Sequence, residues 1–245
     1  MSLQEKYARV ILESCLKLEK NQPLFISYNK ERKDFVDIVT KIAHELGVTD
    51  IYYDENDPFK KHEALKNMSI EELKETGLWN REIWNVYGKK NAAFLMLVSE
   101  MPGLMKDIDS KTMTEITKYA YETRKEFDDL RDKSILAWCI AAVPTQMWAK
   151  ELFNEENAVD ILWDKIFEIC MIKDDDPVKV WDEKISKLKE RAKKLTEYQF
   201  KTLKYTSSNG TDFSIDLPKN HKWESGRQTL ASGKEVLVNF PTEEV

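Results

Sequence analysis

Ala92-Ala93-Phe94-Leu95-Met96-Leu97-Val98-Ser99 carries no charge and a single hydroxyl. A strand with one wet face alternates apolar and polar residues, whereas an unbroken apolar run of this kind fits a strand covered on both faces, as in a parallel sheet. Outward from it, Ser134 to Val143, closed by Pro144, reads as another strand. Leu24 to Tyr28, preceded by Pro23, and Val48 to Tyr53 read as two more. Helical patterns fill the intervals. Tyr7, Val10, Ile11, Cys15 and Leu18 share one face over residues 4–19, and Phe35, Ile38, Val39, Ile42, Ala43 and Leu46 share another that ends at Gly47. Ser69-Ile70-Glu71-Glu72 has the spacing of a capping box and opens a short helix that stops at Gly77. Asp109 or Ser110 caps a helix running to about Asp129. This alternation predicts an α/β fold, with a mostly parallel sheet flanked by helices.

Beyond Pro144 the pattern is helical over residues 145–153, 158–172 and 178–200. Asp176-Pro177 is a start signal, Asp as N-cap and Pro at the first helical position. Trp181, Ile185, Leu188, Ala192 and Leu195 then form one apolar stripe, too short a heptad run for a coiled coil. From Phe200 the period falls to two. Phe213, Ile215 and Leu217 alternate with Asp212, Ser214 and Asp216, and Val236, Val238 and Phe240 alternate with Leu237 and Asn239. Turn signals at Asn209-Gly210 and Ser232-Gly233 precede both runs. These are expected to be antiparallel strands buried on one face. The reading therefore divides the chain into residues 1–200, an α/β domain, and residues 201–245, the first antiparallel strands of an incomplete second domain, since two or three strands make no stable sheet alone.

Net charge is −6 over 245 residues, which argues against a nucleic-acid binder. Cys15, Cys139 and Cys170 are widely spaced and odd in number, as expected of free thiols in a reducing cytoplasm. Residues 1–20 form a charged amphipathic stretch unlike a signal peptide, and no apolar run approaches the ~20 residues that span a bilayer. A cytoplasmic protein without nucleic-acid or membrane partners is expected.

Most familiar chemistry is absent. Seven glycines form neither a dinucleotide fingerprint nor a phosphate loop. His62-Glu63 is followed by Lys66 where a zinc-binding HExxH needs its second His, and His44 reads as an ordinary helix residue. No GxSxG occurs, and Cys139 falls inside an apolar strand, where an inert core thiol is expected. Trp138, Trp148, Trp163 and Trp181 sit on apolar faces and read as core. Trp223 differs: with His221 it lies in a polar loop between strands, as either a site edge or a plain hairpin connection. Asn239-Phe240-Pro241-Thr242-Glu243-Glu244-Val245 ends on paired carboxylates. Such pairs are ordinarily a solvated tail, but on an extended chain one of the two can face a site.

Several stretches, in order, carry a resemblance. Trp138-Cys139-Ile140-Ala141-Ala142-Val143-Pro144-Thr145 with Trp148-Ala149-Lys150, then Leu162-Trp163-Asp164-Lys165-Ile166-Phe167, then Asp176-Pro177-Val178 with Trp181, are the first three. Gly210-Thr211-Asp212-Phe213 with Leu217-Pro218 and His221-Lys222-Trp223, and finally Asn239 to Val245, complete the set. Together they resemble the thermophilic aminopeptidase family, the aminopeptidase T and aminopeptidase S group of dinuclear metallopeptidases. The resemblance runs along the whole chain and is sharp from residue 138.

That resemblance implies an exopeptidase that removes amino-terminal residues from peptides with two divalent metal ions (zinc, cobalt or magnesium). It implies a peptide substrate, a homodimer, and Glu244 as a metal ligand. The family's further ligands, and its catalytic Tyr and Glu, fall beyond Val245. His221 and Trp223 are candidate substrate contacts. One carboxylate cannot hold two divalent ions, so this chain by itself is expected to be inactive. The competing reading is a catalytically inactive α/β scaffold for dimerisation or peptide binding.

Overall fold

The computed structural model describes residues 1–242. The chain opens with α1 (Leu3–Arg9), capped by a Ser2/Glu5 capping box and continued by a π-turn over Val10–Cys15. It continues through β1 (Leu24–Asn29), α2 (Lys33–Glu45), β2 (Ile51–Asn56), α3 (Pro58–Asn67), α4 (Ile70–Glu75), α5 (Glu82–Lys89) and β3 (Ala93–Val98). Next come α6 (Ser110–Thr123), α7 (Lys125–Asp132), β4 (Trp138–Ala142), α8 (Gln146–Leu152), α9 (Ala158–Ile169) and α10 (Pro177–Tyr198). The last strands are β5 (Thr202–Thr206), β6 (Asp212–Asp216), β7 (Gln228–Thr229), β8 (Glu235–Val236) and β9 (Asn239–Phe240).

Five strands form the central sheet in the order β2-β1-β3-β4-β9, every pair parallel. Alternation along β3 feeds two cores. Ala93, Leu95 and Leu97 join the large core beneath α1, α2, α9 and α10, and Phe94 joins Phe25, Trp84 and Phe127 beneath α5 and α7. Both faces of β3 are thus covered, which is why its sequence is continuously apolar. A small satellite cluster of Ala64, Leu65, Leu73, Trp79 and Ile116 ties α3, α4 and α6 together. The α10 stripe lies on the domain, with Trp181 fully buried and its Nε1 donating to the Cys170 carbonyl at 2.7 Å.

Local chemistry places the element ends. Gly47 takes φ +84°, and Val48 N–H bonds back to the Ala43 carbonyl at 3.0 Å. Val48 is therefore spent on the C-cap of α2, and β2 starts later, at Ile51, than the apolar run Val48–Tyr53 suggests. Likewise Ser134 takes φ +54° and Ile135 N–H returns to the Leu130 carbonyl, so β4 begins at Trp138. The helix predicted to run unbroken from Ser110 to Asp129 is divided at Arg124. The Asn85 side chain accepts from Phe127 N at 2.9 Å and donates to the Thr123 carbonyl at 2.8 Å, interrupting the helical ladder.

Two expectations for the carboxy-terminal part are corrected. β5 and β6 do pair antiparallel, but neither face is buried: Phe213 is 49% exposed and Ile215 46%. The run 236–240 is not one antiparallel strand. Val236 pairs antiparallel with Gln228, whereas Asn239 and Phe240 pair parallel with Ile140 and Ala141. Leu237 is fully buried and its N–H reaches the Cys15 carbonyl at 2.8 Å, which turns the chain between the two pairings.

Candidate functional site

Because β1, β3, β4 and β9 are parallel, their carboxyl ends share one edge of the sheet. β9 leaves through the cis Phe240–Pro241 peptide to Thr242, which is buried. Phe240 stacks on Tyr7 at 5.4 Å between ring centroids and meets Trp181 edge-on at 4.9 Å. Glu244, the expected metal ligand, lies outside the described residues, as do Glu243 and Val245.

The loop bearing His221 and Trp223 is seated at the other end of α10. Trp223 N–H donates to Thr196 Oγ1 at 2.8 Å, and Gln199 Nε2 donates to the His221 carbonyl at 2.9 Å. The two rings meet edge-on at 6.3 Å. His221 Nδ1 is 3.0 Å from the Pro218 carbonyl. A carbonyl only accepts, so Nδ1 carries the proton in that bond and a neutral ring keeps its lone pair on Nε2. His221 Nε2 and the Trp223 indole Nε1 are buried without a partner among the described residues. Gly226, at φ +79°, lets the loop lie on α10, since a Cβ there would come 2.9 Å from Ile185 Cγ2. Arg227 pins it further: the guanidinium, enclosed to 4% exposure, holds the Ser14 carbonyl and hydroxyl and Asp182. A polar cavity of about 460 Å³ lies beside Trp223, Ser134, Lys189 and Gln228.

His221 and Trp223 are therefore together, but Phe240 rests on Trp181 while Trp223 rests on Thr196, fifteen helical residues further on. That span is about 22 Å of helix. The loop and the exit of β9 lie against different ends of α10.

At the carboxyl edge a polar cluster escapes the sequence reading. Ser27 Oγ donates to Asp54 Oδ2 at 2.9 Å, Asn56 Nδ2 donates to Ser27 Oγ at 3.1 Å, and Lys61 Nζ donates to Asn56 Oδ1 at 2.6 Å. Arg81 lies 3.8 Å from Asp54. Burial, with the Arg81 charge added, lowers the Lys61 pKa to about 8, and Asp54 counters this only partly. The signal was present: polar residues replace apolar ones at the last positions of β1 and β2, at Ser27, Asn29, Asp54 and Asn56.

The remaining candidates resolve as expected. His62 pairs with Asp107 at 2.7 Å, and hydrogen bonds from Lys66 and then His62 hold the Asp107 carboxyl well below the usual range. His44 Nδ1 bonds the Val48 carbonyl within its own helix cap. All three cysteines are buried free thiols, and burial pushes Cys170 up to about 12. Among the described residues no group of three or more His, Cys, Asp or Glu is placed to hold a metal ion. The described donors alone do not fit a dinuclear centre.

The family model described as thermophilic metalloprotease (M29) matches residues 2–245. The chain belongs to this family. Aminopeptidase PepS of Streptococcus thermophilus is 29% identical across 98% of this M29 chain and 59% of its own length. Aminopeptidase AmpS of Bacillus subtilis (strain 168) is also 29% identical with the same coverage. The solved structure of wild-type AmpT from Thermus thermophilus superposes with a TM-score of 0.86 at 22% identity, over 98% of this chain and 60% of that one, so the two share a fold. The M29 chain thus spans about three fifths of the length of these relatives. No helix among the described residues is long and apolar enough to cross a membrane.

Proposed function

We propose that this chain supplies the α/β part and the first metal ligand, Glu244, of a metal-dependent aminopeptidase acting on peptide amino termini. The observation that carries the reading is the M29 match over residues 2–245. The aminopeptidase relatives support it, and β9 leaves through Pro241 and Thr242 at the carboxyl edge, where α/β sheets place their chemistry. Two divalent ions, zinc, cobalt or magnesium, and a homodimer belong to the same proposal, as does a cytoplasmic setting. So does a second, catalytic unit beginning near residue 201. The exposed β5–β6 hairpin supports that boundary, and the return of β9 into the first sheet counts against it.

His221 and Trp223 remain proposed substrate contacts. Their unpartnered ring nitrogens support this, and their distance from the β9 exit counts against one small site shared with Glu244. The test uses a gene product extended through the two fifths of the relatives' length that this chain does not cover. Release of p-nitroaniline from an aminoacyl-p-nitroanilide, lost with EDTA and restored by a divalent ion, is expected. An extended product that binds metal and cleaves nothing would favour the scaffold reading instead.

A further inference from the structure

The strand order β2-β1-β3-β4-β9 contains a topological switch: α2 leaves β1 toward the large core, while α7, which follows β3, packs on the opposite face. α/β folds with this order bind ligands in the crevice at the carboxyl ends beside such a switch. Here that crevice is a cavity of about 500 Å³, within the ~300–1,000 Å³ of small-ligand sites. The segments that follow β1, β2, β3 and β4 all line it, through Glu31, Phe59, Pro102 and Gln146. Phe59, Pro102 and Met147 make an apolar wall, and Phe59 stands 50% exposed. Glu31, Lys150 and Glu151 make the rim. The Glu31 carboxylate is engaged by the Gln146 N–H at 2.5 Å. Lys150 is the only cation lining the cavity and has no ion pair among the described residues. No phosphate loop borders it, which sets nucleotides aside.

We infer that this crevice receives the distal part of an extended peptide, an apolar side chain on the Phe59–Met147 wall and the terminal carboxylate at Lys150. The inference rests on the peptidase reading and adds a subsite to it. β9, which leads toward Glu244, leaves the same edge three strand positions from β1. Three strand spacings are about 14 Å, and extended chain covers roughly 3.3–3.6 Å per residue, so about four residues bridge the crevice and the end of β9. An apolar fifth residue then falls on the wall.

The test is binding, not turnover. The isotope-labelled 245-residue chain is titrated in EDTA with the hexapeptide Leu-Ala-Ala-Ala-Leu-Ala, its carboxy-terminal amide, and the dipeptide Leu-Ala, followed by amide NMR shifts. The hexapeptide is expected to move the amides of Phe59, Gln146 and Met147, and the dipeptide to leave them in place. Phe59→Ala should weaken the hexapeptide about fivefold or more, the loss of one apolar contact. Amidation should weaken binding to the parent chain and not to Lys150→Glu, an exposed substitution whose fold is read from its unshifted amides. Exposed Phe213→Ala serves as the control and should bind like the parent. The inference is overturned by hexapeptide shifts confined to other regions, by equal binding to Phe59→Ala, or by no shifts up to the peptide's solubility limit. Because metal and hydrolysis are excluded, such a failure leaves the aminopeptidase assay untouched, and failure of that assay leaves this binding result standing.

Discussion

Lys61 is a cation whose neighbours include a second cation, Arg81, and the Asp54 carboxylate. Its pKa falls from 10.5 to about 8 in the fold, burial being the largest cause. Between those two values the unfolded chain binds the proton that the folded chain has released. The Lys61 contribution to stability therefore rises with pH from about 8 to about 10.5, by on the order of 3 kcal/mol at most, against the opposite contribution of the buried thiols. Below pH 8 both states are protonated and the full penalty is present. Lys61→Met should flatten that rise in urea unfolding between pH 8 and 10.5, and an unchanged slope would mean that another group carries it. Residue chemistry of this kind was only half visible beforehand. The polar ends of β1 and β2 are plain in the sequence, but their convergence on Lys61 needs α3 and α5 to fold over the sheet, and no local spacing encodes that. The free core thiols and the plain roles of His44 and His62 were visible, because burial and helix position follow from neighbouring residues.

At the scale of elements, the carboxy-terminal strands show period without partner. Phe213 and Phe240 both alternate with polar neighbours, yet one is half exposed on a two-stranded hairpin and the other is wedged between Tyr7 and Trp181. Phe240→Ala should cost about 3–5 kcal/mol, the range for a buried aromatic. Phe213→Ser should stay within about 0.5 kcal/mol, the range for surface changes. Equal losses in urea unfolding would contradict the allocation of β9 to the sheet and of β6 to solvent. Capping boxes, the Asp-Pro start of α10 and the Gly47 stop are local devices, and each stands where its sequence places it. The same Asp-Pro signal at Asp57-Pro58 opens α3, whose apolar face is too weak to show by periodicity.

For the whole molecule, the M29 assignment sets what the chain belongs to, and the donor inventory sets what these residues do unaided. Glu244 is the single ligand that we propose from the resemblance, and the described residues contain no three-donor cluster. The 245-residue chain, supplied with zinc, cobalt or magnesium, is therefore expected to release no p-nitroaniline from an aminoacyl-p-nitroanilide. Chelator-sensitive release by this chain would refute that expectation.

Periodicity and capping determine, by sequence alone, that this is a parallel α/β fold, because both act within a few residues along the chain. The ordered motifs from Trp138 to Val245 are likewise readable in one dimension. Which of the carboxy-terminal strands pairs with which, and in what direction, belongs to the tertiary structure. β9 joins β4 because Phe240 and Leu237 bury more apolar surface in the large core than a second small sheet offers them. That choice aims the Pro241-Thr242 exit at the carboxyl edge, while tertiary packing alone sets His221 and Trp223 at the far end of α10 and brings Phe59 and Met147 to one crevice.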